Sequence, residues 1–375
     1  MDFKNYLVPG KTGLLIGIGG VSMSPLAEVL HDAGLDIRGS DMAESSNTLT
    51  LRERGIPIHI GHSADNVTDD ISFVIRTAAV HDDNPEVHEA HRRGIPVFER
   101  TQAWGALMRG YQNALCISGT HGKTTTTSMC THIMMAAEKD PTVMIGGTLP
   151  LLKACHRVGK GNTIIMESCE YYNSFLALNP TIAVVLNIEA DHLDFFKDLE
   201  DIKHSFRCFA ERVPAETGTV IANYDDANTM DALRGIARKV ITFGLNAKAD
   251  VYAQNIVHRG SVSEFDIYHR GNYFARVTLH VPGIHNVRNA LAATAAAIVL
   301  GVSPNAVKYG LAGFEGAGRR FDFKGKFQGA DLYDDYAHHP SELRALLDAV
   351  DTLNYQRTIV VFQPHTYSRT AKLFN

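Results

Sequence analysis

Short apolar runs alternate with stretches of helical spacing from the start of the chain to about residue 108: GLLIGI, SPLAEVLHDAG, LDIRGS, TLTLRERG, IPIHIG, ISFVIRTA, NPEVHEAHRRG and IPVFER. Strand-length and helix-length periods in this order predict a parallel α/β sheet. A second series starts at NALCISG and continues through TIIMES, TIAVVLNIE, GTVIAN and KVITFG. Near residue 250 the period becomes strictly two, in ADVYAQNIVH, SVSEFDIYHR and YFARVTLHVPG, which predicts antiparallel strands with one wet face. The alanine-rich HNVRNALAATAAAIVLG predicts a helix packed on the sheet of the second domain.

Glycines 310, 313, 316 and 318 then cluster, a density that suits a hinge. Beyond them ADLYDDYAHH, PSELRALLDAV and RTIVVFQP predict the first two strands and a helix of another α/β unit. A domain needs on the order of a hundred residues, so the end at Asn375 reads as a truncation. The expected organisation is α/β in three parts: a Rossmann-like domain over 1–108, a central α/β domain with a phosphate loop and an added antiparallel sheet over 109–315, and an incomplete Rossmann-like domain over 316–375.

Composition narrows the partners rather than the fold. The 375 residues are 45% hydrophobic and 21% charged, with a formal net charge of -5 and no run of five lysines or arginines, so nothing draws the chain to nucleic acid in general. Residues 1–11 have no apolar core of secretory length, and ALAATAAAIVL at 290–300 is too short to span a bilayer. The expectation is a cytoplasmic protein without membrane insertion; oligomeric state is left open. Five cysteines, with no C-x-x-C pair and an odd count, suit reduced and mostly buried structural thiols.

Two glycine turns carry candidate chemistry. In GIGGVSMSPLAEVL, Gly17, Gly19 and Gly20 follow a predicted strand, Ser22 stands where a dinucleotide fingerprint has its third glycine, and Asp41 ends the next strand. That arrangement suits a nucleotide diphosphate, with the acid near ribose or base; a purely structural turn is the alternative. The second turn, GTHGKTTTT, sits between a predicted strand and a predicted helix. It is two residues shorter than the common G-x-x-x-x-G-K-[ST] phosphate loop, which would put a glycine at Ile117. Gly119 and Gly122 still allow the turn, Lys123 can reach outer phosphates and Thr124 can offer a hydroxyl to Mg²⁺. Two nucleotide sites in successive domains argue against a plain dehydrogenase.

Mg²⁺ on a triphosphate takes oxygen ligands, so acids are expected at strand ends beside such a loop. Glu167 ends TIIME, Glu170 follows, and NIEADHLD supplies Glu189, Asp191 and His192. Further on, GIHNVRNALAA places His285, Asn286 and Asn289 at a helix start, where one asparagine can cap and another can bond a purine. Arg319 and Arg320 can clamp an anion, and DDYAHHPSE gathers Asp334, Asp335, Tyr336, His338 and His339 at a strand-to-helix turn.

Taken in order and spacing, IGIGGVSMSPLAEVL, GSD, GTHGKTTTT, NIEADHLD, GIHNVRNALAA, GRRFD, DDYAHHPSE and FQPHTYSRT resemble the Mur ligase family over essentially all 375 residues, and the short GTHGKT loop is that family's own form. The resemblance implies ATP-dependent amide formation with Mg²⁺: the γ-phosphoryl group passes to the carboxylate of UDP-N-acetylmuramate, and the amine of L-alanine attacks the acyl phosphate. It implies ATP contacts from Gly119, Thr120, His121, Gly122, Lys123, Thr124, Thr125, Asn286, Asn289 and Arg319, with metal ligation by Thr124, Glu167 and His192. The UDP part would lie over Gly19, Gly20 and Ser22, with Asp41 near the uridine. Tyr336, His338 and Arg369 would orient L-alanine, and Lys123, Glu167, His192, His338 and Arg369 would form the catalytic set. A muramoyl-peptide ligase of the same family and a non-catalytic nucleotide-binding fragment are the rival readings.

Two segments depart from the family pattern. Thr366 stands in PHTYSRT where relatives can have arginine, which removes one guanidinium from the expected alanine site. ESCEYYNS replaces a more acidic EADESDAS, keeping Glu167 and Glu170 but not the aspartates between and after them.

Overall fold

The computed structural model describes residues 2–77 and 79–364. The chain divides into two compact units, Met1–Tyr111 with Ala177–Asn179, and Gln112–Leu176 with Pro180–Asn375.

The first unit holds five parallel strands, β1 (Thr12–Ile16), β2 (Asp36–Asp41), β3 (Ile58–Ile60), β4 (Ile71–Arg76) and β5 (Val97–Glu99), in the order β3-β2-β1-β4-β5. Its helices are α1 (Met23–Asp32), α2 (Ser46–Glu53), α3 (Pro85–Arg92) and α4 (Arg100–Met108). Every residue of β1 is buried, which is why that strand reads as an unbroken apolar run. Leu14 and Ile16 pack with Val74, Val87 and Ala90 to form one side of the core. Chain order reverses on the two sides of β1, so the turn after this strand opens at a topological switch point, where open α/β sheets form their binding crevice.

The second unit is built on ten strands: β6 (Asn113–Ser118), β7 (Thr142–Leu149), β8 (Ala154–Arg157), β9 (Thr163–Glu167), β10 (Ile182–Val185), β11 (Thr219–Asn223), β12 (Lys239–Gly244), β13 (Val251–Arg259), β14 (Val262–His269) and β15 (Asn272–Leu279). Their order is β15-β14-β13-β12-β11-β10-β6-β9-β7-β8. The three strands expected from a period of two continue the central sheet: β13 pairs parallel with β12 through Phe243 and Gly244, and β14 and β15 follow antiparallel; burial alternates along β14 and β15, whereas β13 is buried over 251–253 and largely open beyond them. Helices α5 (Lys123–Ala136), α6 (Leu199–Glu211), α7 (Ala227–Ala232), α8 (Ile284–Val299) and α9 (Pro304–Ala312) accompany the sheet. The small side chains of α8 let it bury Ala290, Ala292, Ala293 and Ala296 in the same core as Leu115, Ile117 and Val184.

Gly310 and Gly313 belong to α9 and its C-cap, not to a hinge. A Cβ on Gly310 would lie 2.5 Å from the Ile133 Cα, so this glycine exists to let α9 and α5 approach backbone to backbone. Beyond α9, β16 (Asp322–Phe327) and β17 (Ala330–Asp334) form an antiparallel hairpin, followed by α10 (Pro340–Asp351). The expected strand in RTIVVFQP is absent: residues 357–364 pair with no strand among the described residues, and Val361 is 94% exposed. Apolar β-branched residues favour a strand, but its backbone needs a neighbour to complete the ladder.

The cysteines also depart from expectation. All five are free thiols, but only Cys116 and Cys130 are buried; Cys155 and Cys208 are half-buried and Cys169 is exposed. Cys169 lies past the end of β9, where the chain has left the apolar core. Among the described residues no helix is long and apolar enough to cross a membrane.

Candidate functional site

Strand β6 delivers the chain into a loop that only glycine can follow at two places. Gly119 has φ +145° and Gly122 φ +83°; a Cβ would come within 2.8 Å of the Leu186 side chain at the first and 2.7 Å of Asn289 Oδ1 at the second. Asn187 pins the loop from both sides: its Oδ1 accepts from the His121 backbone N–H at 2.7 Å, and its Nδ2 donates to the His121 carbonyl at 3.0 Å. Gly122 is the N-cap of α5 and no side chain bonds back at that cap, so first-turn N–H groups remain available to an anion.

The predicted cation and acids come together here. Lys123 Nζ, with its side chain only 14% exposed, donates to Glu170 Oε2 at 3.0 Å and to the carbonyl oxygens of Gly119 and Thr120. Burial works against its charge, but the negative groups around it, Glu170 foremost, together outweigh burial and raise its pKa. Thr124 Oγ1 donates to Glu167 Oε1 at 3.1 Å, and the other carboxylate oxygen accepts from the Gly146 N–H at 2.6 Å. His192, in a left-handed backbone conformation, stacks on Tyr171 at 4.3 Å and sets Nε2 3.7 Å from Asp191 and 4.0 Å from Glu170. Thr124 and Glu167 thus present hard oxygen donors side by side, a donor set that fits Mg²⁺.

From the loop a cavity of about 370 Å³ runs past His121, Gly122, Thr124 and Thr125 to Asn286, Asn289, His285 and Phe314. Neither asparagine caps α8. Gly283 occupies that position at φ +94°, where a Cβ would strike the His285 ring at 2.5 Å. The Asn286 amide donates to the Pro282 carbonyl at 2.7 Å, and Asn289 donates to Asn286 Oδ1 at 3.2 Å. Burial lowers the His285 pKa to about 4, with Arg288 adding to the effect, so this histidine lines the cavity as a neutral ring.

Arg320 lines the cavity, whereas Arg319, 62% exposed at its side chain, lies with its guanidinium 4.7 Å from the centre of the Tyr336 ring. His338 donates from Nδ1 to the Tyr336 carbonyl at 2.8 Å. Arg369 and Thr366 lie outside the described residues. In the first unit Asp41 Oδ2 accepts from the Gly19 N–H at 2.8 Å, and Asn47 donates to the Gly19 carbonyl at 2.8 Å. Asp41 therefore holds the glycine turn in shape. Gly20 packs against the Gly17 carbonyl, and Ser22 is the N-cap of α1, its carbonyl receiving the Trp104 indole N–H at 3.4 Å.

A further network was only partly visible in the sequence. His121 Nδ1 lies 3.2 Å from Glu342 and Nε2 3.4 Å from Glu189. Burial opposes its charge, but hydrogen bonding to the two acids outweighs that and raises its pKa to about 9. In turn His121 lowers Glu189 to about 2. For Glu342, burial pushes upward and the bond to His121 pulls it down further, to well below the usual carboxylate range. Glu342 had one signal, its place three residues after His339 in a capping box at the start of α10. Asn187 had none beyond its position after an apolar strand.

Three family domains match along the chain: the Mur ligase family catalytic domain over 15–112, the Mur ligase middle domain over 117–297 and the Mur ligase glutamate ligase domain over 319–375. The UDP-N-acetylmuramate–L-alanine ligase of Agathobacter rectalis is 46% identical over 361 residues, covering 96% of this chain and 78% of that relative. The chain belongs to the Mur ligase family. The corresponding ligase of Clostridium novyi is 45% identical over 375 residues, 100% of this Mur ligase and 81% of the relative. Among solved structures, UDP-N-acetylmuramate-alanine ligase from Thermotoga maritima superposes with a TM-score of 0.79 at 31% identity, covering 97% of this chain and 83% of its own. A murein peptide ligase from Psychrobacter arcticus, at 24% identity and a TM-score of 0.76, covers 93% and 77% and shares the fold. In this Mur ligase the middle-domain match contains the phosphate loop, Glu167, His192, Asn286 and Asn289 together.

Proposed function

We propose that this Mur ligase joins L-alanine to the carboxylate of UDP-N-acetylmuramate, with cleavage of ATP to ADP and phosphate, in the bacterial cytoplasm. The observation that carries the reading is the contact of Thr124 with Glu167 beside buried Lys123, in a chain 46% identical to a ligase of that name. A carboxylate is a poor acyl donor because its oxygen leaves badly. Phosphoryl transfer turns that oxygen into a phosphate leaving group, and the L-alanine nitrogen then attacks the acyl carbon, loses a proton and expels phosphate.

The chain's own work is to position and to neutralise charge. Lys123 brings a full positive charge to the outer phosphates, and Gly119 to Thr125 cradle them with backbone N–H groups. Thr124, Glu167 and His192 would hold Mg²⁺, which when bound neutralises crowded phosphate oxygens. Asn286 and Asn289 line the cavity where a purine would fit, and Arg320, which also lines it, would bring a cation to the phosphates where Arg319 was expected. The first unit would seat the UDP moiety at the Gly19–Ser22 turn that Asp41 shapes. Tyr336, His338 and Arg369 would receive L-alanine. On this reading 1–108, 109–315 and 316–375 are the UDP, ATP and amino-acid domains.

The test supplies UDP-N-acetylmuramate, Mg-ATP and L-alanine and follows ADP. Formation of ADP that requires both the sugar nucleotide and L-alanine supports the assignment. ADP release indifferent to the amino acid overturns it, and preference for a tripeptide over L-alanine moves the chain to the peptide-adding branch of the family.

A further inference from the structure

The network around His121 has the form of a metal site separate from the Thr124–Glu167 pair. His121, Glu189 and His339 each offer one ligand atom, and the three atoms lie within 4.8 Å of one another. Glu189 Oε2 is 3.4 Å from His121 Nε2 and 3.6 Å from His339 Nδ1. Ligands at about 2.0–2.1 Å on the corners of a tetrahedron stand roughly 3.3 Å apart, so these separations are close to those one ion would impose. The three come from three places in the fold: the phosphate loop, the loop after β10 and the N-cap of α10.

The other ring nitrogens are already engaged as metal-binding histidines require. His121 Nδ1 faces the Glu342 carboxylate at 3.2 Å, which leaves its buried Nε2 directed at Glu189, 3.4 Å away. His339 Nε2 donates to the Ala190 carbonyl at 3.4 Å, and its Nδ1, 3.6 Å from Glu189, accepts the cap bond from the Ser341 N–H at 3.3 Å, which an ion at Nδ1 would replace. The Ser341 hydroxyl donates to Glu189 Oε2, as an outer group on a ligating carboxylate does.

We propose that His121, Glu189 and His339 bind a transition-metal ion of the Zn²⁺ class, tying the phosphate loop to the amino end of α10. Two imidazoles and one carboxylate select such an ion over Mg²⁺, which takes oxygen ligands and keeps its waters. The fourth position is left for water or another oxygen donor. This inference does not depend on the ligase assignment.

The experiment dialyses the full chain, without nucleotide, against Zn²⁺ and separately against Co²⁺. One ion per chain and the intense visible spectrum of tetrahedral Co²⁺ are expected. His339→Gln should abolish binding, and Glu342→Gln, which keeps a side chain that can accept at the α10 capping box but removes the carboxylate facing His121, should weaken it about 10–100-fold. His192→Ala should leave it intact, because that ring faces Glu170 and Asp191. Absence of binding, equal binding by His339→Gln, or loss in His192→Ala overturns the proposal. Circular dichroism checks that each variant folds. If His339→Gln does not, X-ray absorption of the zinc-loaded wild-type chain decides: two imidazole ligands support the site, and fewer overturn it.

Discussion

Lys123 keeps its charge in a mostly buried position because Glu170, only 3% exposed, sits 3.0 Å away and two backbone carbonyls share the ammonium protons. Removing one member of such a pair strands the other. Lys123→Met should therefore lower stability by about 3 kcal/mol, measured by urea unfolding, and abolish ADP formation while UDP-N-acetylmuramate still binds. Adding Glu170→Leu should recover more than half of the lost stability but none of the turnover; failure to recover it would mean that Lys123 acts through its carbonyl contacts instead. A second residue-scale prediction concerns pH. His121 is raised from 6.5 to about 9, so its contribution to stability is complete below pH 6.5 and is lost as pH rises through 9. Glu189 is lowered from 4.5 to about 2, so its share is complete above pH 4.5 and is lost as pH falls through 2. Both contributions are whole between about pH 4.5 and 6.5. Between pH 6.5 and 9 the wild-type chain should lose more stability than His121→Asn, and parallel urea-midpoint curves for the two would refute this. Lys123, Thr124, Glu167 and His192 could be found in the sequence because glycines and strand ends mark their neighbourhood. Glu170 was among the acids expected there, but its pairing with Lys123, like that of Glu342 with His121, is made only by the fold.

At the scale of elements, the pattern of apolar positions located strands and helices well where burial supplies the signal. The mostly apolar β1, β6 and β10 are present where their runs place them, and so are β13 to β15, but burial alternates only along β14 and β15 and fails in β13, where the register shifts after Gln254. What periodicity does not contain is the partner of each strand. It could not show that β13 joins β12 to make one sheet of ten, nor that residues 357–364 would find no neighbour among the described residues. Glycine density misled for a related reason: the same residue serves a flexible link and a close helix crossing, and only the crossing with Ile133 tells them apart. This gives the third prediction. Gly310→Val puts a branched side chain where even a Cβ lies 2.5 Å from the Ile133 Cα, and should cost about 1–3 kcal/mol in chemical denaturation. Tyr309→Ala on the adjacent position, 66% exposed, should change stability by no more than about 0.5 kcal/mol. Equal effects would return Gly310 to the status of a hinge glycine.

The whole molecule raises the question of whether the two glycine turns serve two ligands independently. Each stands at the carboxyl end of the strand that opens its own sheet, β1 in one unit and β6 in the other. The order of these units was legible because each restarts the α/β pattern. That Ala177–Asn179 belongs with the first unit was not, for it rests on the Asn179 side-chain amide donating to the Gly105 carbonyl at 2.7 Å across 74 positions of sequence. A ligand that binds only the folded form of one unit stabilises that unit by about 2.7 kcal/mol at a hundredfold excess over its Kd. For a unit of this size that is a rise of about 5–10 °C in melting temperature for the larger one, and more for the smaller. In scanning calorimetry, Mg-ATP should raise the transition of the unit containing Lys123, and UDP-N-acetylmuramate that of the unit containing Gly19. Lys123→Met should remove the first response and spare the second, whereas Asp41→Ala, which frees the Gly19 turn, should do the reverse. If each ligand moved both transitions in both variants, the two turns would not be separate binding sites, and the division of labour between sugar nucleotide and ATP would have to be abandoned.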